Sequence, residues 1–187
     1  EGVLKATYRN FFLNGSLLSG KKAKEMREKY NCNIPWAILL DPTSACNLHC
    51  TGCWAAQYGN KLNLSFEDLD SIITQGKEMG VYVYLYSGGE PLVRRGIVDL
   101  CRSLRAINGV QELAMTTNGA LLPQYAAELK QAGVDRLNIS LDTLNEDKFA
   151  SLTRGGSLAD TLAGLDAAWN AGFRGTKLNA VLLGGVN

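Results

Sequence analysis

The stretch Val81-Tyr82-Val83-Tyr84-Leu85-Tyr86-Ser87-Gly88-Gly89-Glu90-Pro91 decides the fold class. Its first six residues are β-branched, aromatic or aliphatic, and the run has strand length. Two glycines then interrupt it, and Pro91 brings the fixed φ that suits a helix start. Beyond lies Ile97-Val98-Asp99-Leu100-Cys101, a helical pattern, so a helix is expected from Pro91 to about Ala106. The stretch thus reads as strand, glycine turn, helix.

The same unit recurs on either side. Ile34–Leu40 is expected as a buried first strand, Glu112–Thr116 as a third, Arg136–Leu141 as a fourth and Thr176–Leu183 as a fifth. Between them, Ser65 caps a helix, with Asp68 three residues on as the reciprocal partner. That helix runs to about Met79, where Gly80 ends it. Further helices are expected over Leu122–Ala132, near Glu146–Leu152, and over Leu158–Ala171. Strands alternating with helices of this length are parallel and joined by right-handed crossovers. Five such units without a switch in pattern point to an α/β chain forming part of a (β/α) barrel. Periodicity alone leaves an open doubly wound sheet as the alternative.

The first thirty residues read as a helical extension. Phe11, Phe12, Leu17 and Leu18 offer apolar surface, and Lys21–Tyr30 is a charged, exposed helix. The expected division is therefore 1–30, extension, and 31–187, core domain. Glu1 stands where Met would, and Asn187 closes an apolar run with no stop signal. A piece of a longer protein is expected, cut after about five β/α units and poorly active by itself.

Net charge is +1 over 187 residues, so no bulk field recruits nucleic acid or an anionic membrane. No apolar run approaches the roughly 20 residues of a membrane helix, and no secretory start is visible. Five cysteines is an odd number, and three crowd into Cys46–Cys53. That distribution suits metal ligands kept reduced in a cytoplasm better than a disulfide framework. Cys101, inside its helical pattern, is expected to be a small buried hydrophobe; Cys32 receives no role.

Chemistry on parallel sheets gathers at the carboxyl ends of the strands, and the unusual residues sit there. The cysteine loop follows strand one, Ser87–Pro91 follows strand two, Thr116-Thr117-Asn118-Gly119 follows strand three, and Ser140 and Asp142 end strand four. Thiolates spaced as Cys46, Cys50 and Cys53 can wrap one face of a 4Fe–4S cubane and bind three irons. The fourth iron is then open for reaction, whereas electron-transfer ferredoxins close it with a fourth Cys. Two alternatives use the same residues: a zinc site that adds His49, and a redox pair Cys50-Thr51-Gly52-Cys53 that would open a helix.

The segment Ala45-Cys46-Asn47-Leu48-His49-Cys50-Thr51-Gly52-Cys53, followed by Ser87-Gly88-Gly89-Glu90-Pro91, resembles the radical S-adenosylmethionine (SAM) superfamily. The resemblance implies a partial barrel with the cluster loop after strand one. It also implies SAM chelated to the open iron and cleaved by one electron to a 5′-deoxyadenosyl radical. An electron donor such as flavodoxin or ferredoxin follows from that chemistry. Gly88 and Gly89 would let backbone approach SAM, with Glu90 fixing the loop. Where the family has an aromatic residue against adenine, this chain has Gly52, and Trp54 is the candidate substitute.

Residues from Thr116 onward, notably Arg136–Leu144 and Thr176–Asn187, resemble one branch, the GTP 3′,8-cyclases of molybdenum-cofactor synthesis. That resemblance implies SAM contact by Ser140 and GTP contact by Thr116 and Lys177. The first half, Leu40–Cys46 through Trp54-Ala55-Ala56, resembles a different, poorly assigned radical SAM group. Leu39 and Leu85 stand where the cyclases carry arginines that hold the nucleotide. Tyr82, Tyr84 and Tyr86 share one strand face and either line a cavity or pack under helices. The change of resemblance falls near Ser87–Arg95, so a chain of hybrid ancestry is expected. The candidate substrate is a small molecule such as GTP, with a peptide or lipid precursor, or a non-catalytic metal-binding module, as alternatives.

Overall fold

A computed structural model describes residues 17, 19–81, 83–107, 110 and 112–187. The readings of Phe11, Phe12, Leu18 and Tyr82 fall outside the described residues. In chain order the elements are α1 (Ser19–Tyr30), β1 (Ala37–Leu40), α2 (Phe66–Met79), β2 (Val83–Tyr86), α3 (Ile97–Ala106), β3 (Glu112–Thr117), α4 (Leu122–Gln131), β4 (Arg136–Ser140), α5 (Glu146–Thr153), α6 (Leu158–Asn170) and β5 (Lys177–Asn179). Short 3-10 turns cover Trp54–Gln57 and Pro91–Val93.

All pairings are parallel, and the sheet order is β1-β2-β3-β4-β5. A doubly wound sheet reverses its order at a switch point; this sheet never does. Successive strands add to one edge, as in a barrel segment. The fold class expected from the sequence is the one observed.

Side-chain alternation divides the sheet into two faces. Leu40, Tyr84, Tyr86, Leu113, Met115, Leu137 and Ile139 face the helices and join Leu69, Ile73, Ile97, Leu100, Leu104, Leu122 and Leu129 in one core. Tyr84 is therefore packing, with its hydroxyl donating to the Ile73 and Val81 carbonyls at 3.0 and 3.1 Å. Tyr86 is buried in the same layer, so the side chains of both tyrosines pack under the helices. The opposite face carries Leu39, Leu85, Ala114, Thr116, Asn138 and Ser140, in register across neighbouring strands.

Local signals set most boundaries. Ser65 and Asp68 form the reciprocal capping box at the start of α2, and Gly80 at φ 100° ends it. Ser157 caps α6 and Asn145 caps α5 through their side chains. Cys101 is fully buried in α3, as expected.

Three expected elements are corrected. The first strand begins at Ala37 rather than Ile34, because Pro35 has no N–H to give a ladder. It is not buried throughout: Leu39 is 58% exposed, because on this edge strand it points to the open face of the sheet while Leu40 points to the core. The helix after Pro91 is broken, because Arg94 is extended and Gly96 is left-handed, so α3 starts at Ile97. The fifth strand stops at Asn179. Beyond it the Val181 amide donates to the Asp142 carboxylate at 2.8 Å instead of to a strand, and residues 180–187 are exposed.

Candidate active site

The loop from Asp41 to Ser65 leaves the carboxyl end of β1 and returns at α2. Its base is zipped: Thr43 bridges Asn63, the Ser44 amide donates to the Leu62 carbonyl at 2.8 Å, and the Leu62 amide to Ser44 Oγ at 3.1 Å. Its tip rests on the end of α5, where His49 and Thr51 amides donate to the Thr153 and Leu152 carbonyls at 3.3 and 2.8 Å. Those carbonyls end a helix and lack intrahelical partners, which is why a loop can dock there.

Cys46, Cys50 and Cys53 are all free and half-buried on this loop. The Leu48 amide donates to Cys46 Sγ at 3.4 Å, and the Cys53 amide to the Cys50 carbonyl at 3.3 Å. Burial raises the Cys46 pKa, against the lowering by the Leu48 amide, and Glu90 and Cys53 raise it further. Burial, then the charges of Cys46 and Cys53, push Cys50 up to about 11. The smaller charge effects among Cys46, Cys50 and Cys53 reflect their place on one short loop. A bound cation would favour the thiolates.

His49 is exposed. Among the described residues no three His, Cys, Asp or Glu side chains converge as they would around one ion. A cubane asks for something else, since each thiolate sits on a different iron. Cys50 does not open an α-helix; Cys53 precedes the short 3-10 turn Trp54–Gln57, unlike the redox-pair geometry.

Ser87–Glu90 lies against this loop. A Cβ on Gly88 would come 2.8 Å from Asp41 Cβ, and one on Gly89 2.1 Å from the Ala45 oxygen. The close approach these glycines allow is thus made to the cysteine loop itself. Glu90 is buried. Its Oε1 accepts from the Leu92 amide at 3.1 Å and Thr117 Oγ at 2.8 Å, and its Oε2 from the Asn118 amide at 2.7 Å. Burial raises its pKa, and these three donors act against the rise. The carboxyl links the ends of β2 and β3.

Asn118 continues the link, donating from Nδ2 to Asn47 Oδ1 at 2.7 Å, beside Cys46. Sequence reasoning missed Asn47 and Asn118 as a pair, because nothing local joins positions so far apart. Thr116, Asn138 and Lys177 form one row across β3, β4 and β5, and Asn138 Nδ2 donates to Thr116 Oγ at 3.4 Å. Lys177 is exposed, as are Ser140 at the end of β4 and Gly52 on the loop.

A cavity of about 620 Å³ opens beside the loop, lined by Leu39, Asp41, Trp54, Tyr58, Leu62 and Gly89 among others. No cysteine lines it, so it adjoins the thiols rather than containing them. Trp54 and Tyr58 meet edge to face at 5.8 Å, and Asp41 Oδ1 is buried without a hydrogen-bond partner.

A sequence model of the Radical SAM superfamily matches residues 40–187. The chain belongs to the radical SAM superfamily. Among curated relatives, the GTP 3′,8-cyclase of Geobacter sulfurreducens is 47% identical over 154 residues, 80% of this chain and 47% of the relative. That of Alkaliphilus oremlandii is 40% identical over 166 residues, 87% of this chain and 52% of the relative. A match over 87% of the chain extends to both sides of Ser87–Arg95. The chain spans about half the length of these relatives.

Among solved structures, Streptococcus suis SuiB bound to precursor peptide SuiA superposes with TM-score 0.70 at 22% identity, covering 88% of this chain and 37% of that one. Methylornithine synthase superposes with TM-score 0.62 at 16% identity, covering 91% and 51%. These likenesses establish the partial-barrel fold. The cofactors of radical SAM enzymes are a 4Fe–4S cluster and S-adenosylmethionine, and three neighbouring thiols on one loop fit the cluster. Among the described residues, no helix is long and apolar enough to cross a membrane.

Proposed function

We propose that Cys46, Cys50 and Cys53 hold a 4Fe–4S cluster through three irons, and that the protein is a radical SAM enzyme of the cyclase type, acting on GTP. The observation that carries the cluster assignment is three free, half-buried thiols on one loop at the carboxyl edge of a parallel sheet. When bound, the cluster supplies the electron that cleaves the SAM sulfonium bond, an electron drawn from a cytoplasmic donor such as flavodoxin or ferredoxin.

The chain's own residues bind and orient. Gly88 and Gly89 offer backbone beside the cysteine loop, and Glu90 holds that backbone to the β3 end. Gly52 and Ser140 complete the SAM rim. Thr116 and Lys177, in one row on the open face, receive the nucleotide, and the Lys177 ammonium is a compact cation suited to a triphosphate. The relatives named GTP 3′,8-cyclase support this reading.

One observation favours a second substrate. Leu39 and Leu85 pair directly across β1 and β2 on the open face, and with Val83, Ala114 and the ion-paired Glu112 and Arg136 they line a cavity of about 360 Å³. Leucine neither pairs with phosphate nor donates a hydrogen bond. That half of the face suits an apolar group, such as part of a peptide or lipid precursor.

Anaerobic reconstitution tests the assignment. A brown protein that cleaves SAM under dithionite is expected; a colourless protein holding zinc would end the radical reading. Equilibrium binding of GTP to the reconstituted protein then separates the two substrates.

A further inference from the structure

We propose that Arg94 is a positioning residue that clamps the two stems of the cysteine loop, so that the thiols are gathered before any cluster arrives. The geometry stands by itself; the consequence for cluster binding rests on the reading above.

The loop is long, about 25 residues, and closing a chain of that length carries an entropic cost that something must offset. Arg94 meets both of its ends. Nε donates to the Pro42 carbonyl at 3.2 Å, just after β1, and Nη2 donates to the Leu64 carbonyl at 2.7 Å, just before α2. Among the described residues, no other side chain from outside the loop bonds both stems. A guanidinium can do this because its donors are fixed in one plane as a fork.

Neighbouring contacts keep the fork in place. The Phe66 ring, first in α2, lies 4.8 Å from Arg94 Cζ, so the cation stacks on it. The far side of the guanidinium, Nη1, is buried and makes no hydrogen bond. A side chain kept there despite an unsatisfied donor is not a surface ion pair.

The clamp also explains why the helix after Pro91 is broken. Arg94 is extended, at φ −72° and ψ 122°, where a continuous helix would carry its side chain elsewhere. From the same short segment, the Gly89 amide donates to the Thr43 carbonyl at 3.1 Å and the Glu90 amide to the Ala45 carbonyl at 2.7 Å. Pro42, Thr43 and Ala45 are thus gripped in succession, up to the residue before Cys46. Arg94 adds a side-chain tie to the returning stem, beside the backbone bonds that join the stems directly, including the Leu64 amide to the Pro42 carbonyl at 3.3 Å.

The test uses Arg94→Ala and Arg94→Lys in the full chain. In the apo protein, amide hydrogen exchange of residues 43–63 is compared with that of α4 and α6. Loop exchange is expected to rise about tenfold in Arg94→Ala, the scale of a lost charge-assisted hydrogen bond, with both helices unchanged. After reconstitution, iron release to a chelator is expected to quicken in parallel. Arg94→Lys, which keeps the charge without the fork, should lie between. Wild-type exchange and wild-type iron retention in Arg94→Ala would overturn the proposal. So would helices that exchange faster in step with the loop, which would mark general destabilisation. Should Arg94→Ala fail to fold, Arg94→Lys decides by the same two readings. A wild-type chain that takes up no iron would instead refute the cluster assignment, while the exchange experiment would still judge the clamp.

Discussion

Gly89 lies flush against Ala45: a Cβ at residue 89 would sit 2.1 Å from the Ala45 oxygen, and the next amide, Glu90, donates to that same oxygen at 2.7 Å. The glycine segment and the cysteine loop are therefore one packed unit. Neither side can yield, because the contact is backbone on backbone.

Gly89→Ala should accordingly push the loop away from β2. Overpacking of this kind costs about 1–3 kcal/mol, and more where nothing can move. The expected outcome is a lower apo melting temperature and markedly less iron per chain after reconstitution. Differential scanning calorimetry and iron analysis would measure both, and a variant with wild-type values would contradict the packing argument.

The five cysteines should separate into two classes. Cys46→Ala, Cys50→Ala and Cys53→Ala are each expected to abolish stable 4Fe–4S loading, because removing one of three ligands leaves the cluster on two. Cys32, which is exposed, and Cys101, buried in α3, should be replaceable by Ala without loss of iron. Iron and sulfide content of the five reconstituted variants provides the check.

Alkaline pH should destabilise the apo protein through Cys101. Burial pushes its thiol from an ordinary value of 9.0 up to about 12. The folded state keeps this proton longer than the unfolded state does. Above pH 9 the unfolded chain therefore gains thiolate first, and stability falls until about pH 12. Cys50, raised to about 11 mainly by burial, adds a smaller effect of the same sign because it is only half-buried. Melting temperatures across pH 8–10.5 should decline, and Cys101→Ala should flatten the slope; an equal slope in that variant would remove Cys101 as the cause.

Substrate choice can be read from the open face. Lys177→Ala should weaken GTP binding to the reconstituted protein by roughly tenfold, the scale of one charge-assisted contact. Unchanged affinity, by isothermal titration, would count against the cyclase assignment and in favour of the apolar half around Leu39 and Leu85.

The sequence made the β/α alternation legible, with the Ser65–Asp68 cap, the glycine stops and the crowding of Cys46, Cys50 and Cys53 on one loop. These are local signals: hydrophobic period, capping chemistry and spacing within a few residues specify them without reference to the rest of the chain. The strand order, the burial of Tyr84 and Tyr86 beneath helices, and the exposure of Leu39 at an edge were decided only by tertiary structure. So were the Glu90 link to Thr117 and Asn118, the Asn47–Asn118 pair, and the Arg94 fork that breaks the expected helix. Each depends on which remote segment arrives beside a residue. A polar side chain takes its partner from that arrival, because a buried donor or acceptor must find one, and nothing in the neighbouring sequence records which it will be.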